Sequence, residues 1–233
     1  MIKITFILLF ITTTSSLLTG QEIRKIDFTV YGQYPVRGVE YLPVDQTAIA
    51  LGKEPADPVR IVTHSLARMG PYTFKGGSTI SFVESATKSP VAKVRIPQGS
   101  EKWLLIFIKN PRHKDNPETN LKYLAYPFND SLAHLPKNRL IFLNISGKEL
   151  DGLIEDKRVK LDKGESGSFR VQESLPINLW TRDYSGERLL PALIKTYTFD
   201  RNHRYLIIFF PPVLRGSSDL DVRFLSDSAE ESN

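Results

Sequence analysis

The 233-residue sequence contains no cysteine. That absence excludes a disulfide scaffold, a thiol nucleophile and any metal centre held by thiolates. Long segments with a 3.6-residue apolar stripe are also missing, so helices are not the main building element. Neither charge sign dominates: 31 Lys and Arg stand against 26 Asp and Glu, for a net charge of +5. With 41% hydrophobic and 24% charged residues, the chain is neither collagenous nor disordered, and its length suits one large or two small globular domains.

The amino terminus reads as an export signal over residues 1–20. Lys3 supplies the positive region, Ile4 to Ile11 the apolar core, and Thr12, Thr13, Thr14, Ser15 and Ser16 lead to Gly20. A membrane-spanning helix needs about 20 predominantly apolar residues, and this run stops at Ile11. The expectation is therefore cleavage without stable membrane insertion. Leu17-Leu18-Thr19-Gly20-Gln21 resembles a bacterial lipoprotein signal, with Gln21 standing where the lipid-bearing cysteine would be. No thioether can form there. An exported chain without disulfides points to a periplasmic or secreted bacterial protein, and the sequons at Asn129 and Asn144 then carry no weight.

Beyond residue 21 the chain alternates apolar and polar positions in short runs broken by Gly, Pro, Asn, Asp and Ser, which is the pattern of strands. Ile26, Phe28 and Val30 share one face of a first strand. Ile80 and Phe82 follow the Gly76-Gly77 turn, and Val94 and Ile96 alternate with Lys93 and Arg95. Leu220, Val222 and Phe224 alternate with Asp219, Asp221 and Arg223, predicting a sheet with one wet face. Two runs, Trp103 to Ile108 and Tyr205 to Phe210, are apolar on both faces. They predict central strands covered on both sides.

Each of these runs follows a similar preamble, Pro90 to Ile96 and Pro191 to Tyr197. The prolines are 101 residues apart and the aromatics Trp103 and Tyr205 are 102 apart. A near-constant offset of one domain length predicts two copies of one architecture, joined within the proline-flanked stretch 127–136. The fold class expected is all-β: two tandem immunoglobulin-like β-sandwich domains, residues 21–132 and 133–225, after the signal peptide and before a disordered acidic tail, residues 226–233. The likeness to immunoglobulin domains is architectural, resting on strand density alone, since a Cys…Trp…Cys pattern is absent.

Chemistry leaves few traces. His64, His113, His134 and His203 are isolated in sequence, so no metal site and no cofactor is expected. Gly164-Glu165-Ser166-Gly167-Ser168 lacks the nucleophile-elbow spacing and reads as a turn. Gly76-Gly77 lacks the Lys-Ser/Thr continuation of a phosphate loop. Asp183 and Glu187, beside Trp180 and Arg182, could form a hydrolase carboxylate pair, but the segment reads first as a hairpin turn. Tyr31, Tyr34, Tyr41, Tyr72, Tyr123 and Tyr126 offer contact area near turns. The basic surplus sits in residues 21–137, with 16 basic against 11 acidic positions, concentrated between Lys102 and Lys122. It lacks the organisation of a nucleic-acid surface. The expectation is an exported, non-catalytic binding or structural module of the bacterial envelope, with an envelope protein or surface polysaccharide as partner. A carbohydrate-active or other hydrolase is the alternative.

Overall fold

The computed structural model describes residues 23–117, 120–183, 185–214 and 216–228. The expected signal, residues 1–20, and residues 229–233 of the expected tail lie outside them. The described residues are nearly all β, with one α-helix among them, Gln46–Ala50 (α1), and one short 3₁₀ turn, Pro111–Lys114. The first half runs β1 (Arg24–Gly32), β2 (Val39–Tyr41), β3 (Val59–Ile61), β4 (Met69–Gly76), β5 (Thr79–Glu84), β6 (Pro90–Arg95), β7 (Lys102–Lys109) and β8 (Tyr123–Asn129). The second runs β9 (Arg139–Asn144), β10 (Leu150–Ile154), β11 (Lys157–Leu161), β12 (Gly164–Glu165), β13 (Phe169–Arg170), β14 (Ser174–Arg182), β15 (Leu189–Thr198), β16 (His203–Phe210) and β17 (Asp221–Ser228).

These strands form four sheets. Each half has an inner sheet, β4-β1-β7-β8 or β12-β9-β16-β17, and an outer sheet, β3-β2-β5-β6 or β11-β10-β14-β15. The strand order repeats throughout, with β13 adding to β9 beside β12. In both inner sheets the first strand pairs in parallel with the penultimate one, Phe28 opposite Trp103 and Leu140 opposite Tyr205. In both outer sheets the register shifts at one place, just after a proline: Pro90 faces Val83 and Pro191 faces Trp180. Proline cannot donate to a ladder, so an edge strand at a bulge is where it fits. The 101-residue offset seen in sequence is thus a repeated bulge.

Three apolar layers hold the sheets together. Ile26, Phe28, Trp103, Leu105 and Phe107 of the first inner sheet pack on Val39, Tyr41, Ile80 and Phe82 of its outer sheet. Leu140, Phe142, Tyr205, Ile207 and Phe209 pack likewise on Leu150, Ile154, Ile177 and Leu179. The third layer lies between the halves, where Tyr31, Leu104, Ile106 and Ile108 meet Ile141, Leu206, Ile208 and Phe210. This explains why β7 and β16 are apolar on both faces: one face closes its own half and the other covers the opposite half.

Polar clusters bound this third layer at its two ends. At one, Arg68 pairs with Asp130 and Asp227, both at 2.6 Å, and Arg204 reaches Asp227 at 3.1 Å and the Asp130 main-chain carbonyl at 2.6 Å. Burial raises the Asp130 carboxyl above its ordinary range, with the two arginines pulling against that shift. At the other end, Gln33 Nε2 donates to the Pro211 carbonyl at 2.8 Å, and Arg223 pairs with Asp221 at 2.8 Å.

Three expectations are corrected here. The face of β17 carrying Asp221 and Arg223 is not wet; it also carries the buried Leu225 and packs against the first half. Ser226 to Ser228 belong to β17 rather than to a tail, because Asp227 is tied to Arg68 and Arg204. The stretch 127–136 is not all linker: Pro127 to Asn129 finish β8, and the chain crosses between 130 and 138.

Candidate functional site

Layered as outer, inner, inner, outer, the sheets leave two faces uncovered by any other sheet, and these point in opposite directions. Face-to-face sheets stack at about 10 Å, so about 30 Å separates the two outer sheets. Register shows that these faces are equivalent. Glu40 lies opposite Val83, as Asp151 lies opposite Trp180; Ser81 lies opposite Lys93, as Asn178 lies opposite Ile194. Leu42 and Leu153 hold matching places beyond Glu40 and Asp151.

The first face is a walled cleft of about 560 Å³, within the range of small-molecule sites. Its floor is Glu40, Ser81, Val83 and Lys93, and its wall is built from the connection 42–58 between β2 and β3. Asp45 fixes that wall. Its Oδ1 accepts the Ala48 amide at 2.7 Å and caps α1, while its Oδ2 accepts the Gly77 amide at 2.7 Å. Gly76 permits the approach, since a Cβ there would overlap the Asp45 carboxylate. Lys88, on the β5–β6 turn, reaches over the floor and hydrogen-bonds the buried Glu40 carboxylate. That bond holds the Glu40 carboxyl below its ordinary value of 4.5, with Arg60 adding attraction. Lys93 has no ion pair among the described residues, so the floor carries a cation to spare.

The second face is an open platform. Only Glu155 and Asp156 separate β10 from β11, so that connection builds no wall over it. Trp180 is 37% exposed, with Leu153 at 42%, Ile194 at 54% and Leu189 at 60%. Pro191 sits directly across from Trp180. Around this patch lie Asn178 and the bidentate Arg158–Asp151 pair, at 2.9 and 3.3 Å. Lys160 bridges Glu149 and Asp162. The chain's other tryptophan, Trp103, is buried and donates Nε1 to the Ser100 carbonyl at 3.0 Å. Trp180 is therefore the exception.

The other residues singled out in sequence have local structural partners. Asp183 Oδ1 accepts Ser185 Oγ at 2.8 Å and the Glu187 amide at 3.1 Å, which makes the segment a turn and lowers the Asp183 carboxyl. Ser166 Oγ accepts the Phe142 amide and donates to the Gly167 carbonyl. The histidines stay apart: His64 takes the Leu66 amide, His113 contacts the Asn120 carbonyl, His134 contacts Glu165, and His203 contacts the Arg201 carbonyl. Among the described residues, no three His, Asp or Glu side chains converge as a metal site. Tyr31 and Tyr41 are buried, and Tyr72, Tyr123 and Tyr126 pack against the cores. Asn144 is buried and donates to the Lys148 and Leu161 carbonyls.

The sequence gives no sign of a role for Glu40 or Lys88, marks Lys93 only as a polar strand position, and marks Trp180 only as a neighbour of Asp183. It offers no direct signal for the match between the faces: Val83 stands seven residues before Pro90 and Trp180 eleven before Pro191, so aligning the prolines does not superpose them, and only the register sets each opposite its proline. No protein-family model matches the chain, and no curated protein sequence is similar to it.

Proposed function

We propose that this is an exported, non-catalytic binding module of the bacterial envelope that holds a surface polysaccharide on its Trp180 platform. Its two halves are read as tandem immunoglobulin-like sandwich domains, carried out of the cytoplasm by residues 1–20. The repeated strand order favours the tandem reading, and the apolar run ending at Ile11 favours export.

The observation that carries the proposal is the exposure of Trp180 on a flat face beside Leu153, Pro191 and Ile194. Trp180 leaves more than a third of its surface open beside the more exposed Leu153, Ile194 and Leu189, and a contiguous exposed apolar patch marks a contact site. A pyranose ring offers a flat apolar face to stack on the indole and a rim of hydroxyls. Asn178, Arg158, Asp151 and Lys160 supply donors and acceptors around that rim. A non-catalytic role is favoured because the carboxylates nearest either face are already engaged: Glu40 by Lys88, Asp45 by two backbone amides and Asp151 by Arg158. A glycosidase acid needs a raised pKa, whereas Glu40 and Asp151 are both lowered.

The test is tryptophan fluorescence of the mature chain carrying Trp103→Phe, titrated with envelope polysaccharide. The expected result is a blue shift at Trp180, and a loss of binding of about tenfold in Trp180→Ala. Unchanged emission with undiminished binding by Trp180→Ala would overturn the proposal. A purified envelope protein that shifted the same emission in place of polysaccharide would replace the partner.

A further inference from the structure

The walled cleft on the opposite face is a second, chemically different site. From its charge and lining we infer that it takes an acidic sugar, a hexuronate residue, with the carboxylate on Lys93 and the ring hydroxyls over Glu40 and Ser81.

Three observations carry this. The first is the charge balance. Two carboxylates line the cleft, Glu40 and Asp45, with Lys88 and Lys93 beside them and Arg60 across from Glu40 on the same face; Lys88 is committed to Glu40, Asp45 is held by the Ala48 and Gly77 amides, and neither Lys93 nor Arg60 has an ion pair among the described residues. With Arg60 counted, the three cations exceed the two carboxylates by one, and Lys93 and Arg60 are the two without a carboxylate partner, which favours an anion at that side of the cleft. The second is the polar lining. Ser78, Thr79 and Ser81 bring hydroxyls, Gln46 an amide and Thr47 a further hydroxyl, while Glu40 is a pure acceptor. A carboxylate acceptor on the floor of a cleft that attracts anions needs a ligand bearing hydroxyl donors as well as its charge. Sugar acids have both; simple fatty or aromatic acids lack the donors. The third is the shape. Leu42 and Pro58 at the wall and Val83 on the floor give apolar surface against which the C–H face of a ring can lie, and about 560 Å³ admits one or two sugar rings.

Comparison with the platform sharpens the inference. Where the platform has Ile194 opposite Asn178, the cleft has Lys93 opposite Ser81, and where the platform has Trp180, the cleft has the smaller Val83. The same backbone thus presents an aromatic stacking surface on one side and a cationic, hydroxyl-lined pocket on the other. The assignment does not depend on what the platform binds.

Isothermal titration of the mature chain with trigalacturonate, with a neutral trisaccharide of the same length and with succinate tests it. The expected result is binding of trigalacturonate that weakens with added salt, with the neutral sugar and succinate each weaker by at least about tenfold. Lys93→Gln should remove that preference while Trp180→Ala leaves it intact, with circular dichroism confirming that both variants are folded. Equal affinity for the neutral sugar, competition by succinate at equal concentration, no detectable trigalacturonate binding, or unchanged binding by Lys93→Gln would each overturn the inference. Failure of the platform proposal would show only in the Trp180 readout, so the two are separable.

Discussion

The two outer sheets share strand order, register and a proline-marked bulge, yet one carries a walled cleft and the other an open platform. The difference comes from a single connection. Between β2 and β3 the chain spends residues 42–58 on a wall pinned by Asp45, whereas between β10 and β11 it turns on Glu155 and Asp156 alone. The inner sheets show the opposite behaviour. Their facing residues, Leu104, Ile106 and Ile108 against Leu206, Ile208 and Phe210, are uniformly apolar and buried. The repeated architecture varies where it faces solvent and stays constrained where the halves meet, because a shared core penalises change on either side.

The edges of the two halves also differ. In the first half β6 lies alongside β8 and closes that side of the sheet pair, while the backbones of β15 and β17 approach less closely. Tyr197, Phe199, Tyr205 and Phe224 fill the second half there, with Tyr197 stacked on Phe224 at 4.7 Å between ring centres. Aromatic side chains thus do in one half what strand proximity does in the other.

The largest effect should come from breaking what the halves share. Ile208→Ala removes a fully buried side chain from the central layer and should cost about 2–5 kcal/mol in urea unfolding. A single cooperative transition is expected in the parent protein, and two resolved transitions would show that the halves are stabilised independently. Gly152→Ala should come next. A Cβ there overlaps the Asn178 carbonyl across the β10–β14 ladder, where backbone must move, at a cost of about 1–3 kcal/mol. Gly76→Ala meets the Asp45 side chain instead, which can shift, so its stability cost should be the smaller of the two. It should still loosen the cleft wall, visible as faster amide exchange over 44–50.

A subtler test uses pH. The Glu40 carboxyl is lowered in the fold, chiefly by its hydrogen bond from Lys88. The stability this pair contributes is therefore fully present above the ordinary value of 4.5 and is lost as pH falls through the lower folded value. Lys88→Met should raise the Glu40 titration midpoint, measured by carboxyl carbon NMR, and flatten that part of the acid limb. No carboxyl of the platform should respond. An unmoved Glu40 midpoint would mean that Lys88 does not hold the floor of the cleft.

Much of the architecture is legible in the sequence because it rests on local patterns. Alternation marks the strands, and Pro90 and Pro191 mark the repeated bulge. The two-sided apolarity of Trp103 to Ile108 and Tyr205 to Phe210 marks central strands, although nothing local says that the cover is the other half. The polar face of β17 misleads for the same reason: Asp221, Arg223 and Asp227 look solvated until Gln33, Arg68 and Arg204 arrive from distant segments. The faces are the least legible. Asp45 carries no local signal of its role, since its grip on Gly77 spans 32 positions. Trp180 reads as one more aromatic until the register sets it opposite Asp151 and Pro191 with no layer above.

The central claim is that one repeated sheet face has become two separate ligand sites, and a crossed titration tests it most directly. Trp180→Ala, Lys93→Gln and the double variant would each be titrated with envelope polysaccharide and with trigalacturonate. The account predicts that Trp180→Ala weakens only polysaccharide binding at the platform and Lys93→Gln only trigalacturonate binding, with the two losses adding independently in the double variant. A single substitution that abolished both would contradict it.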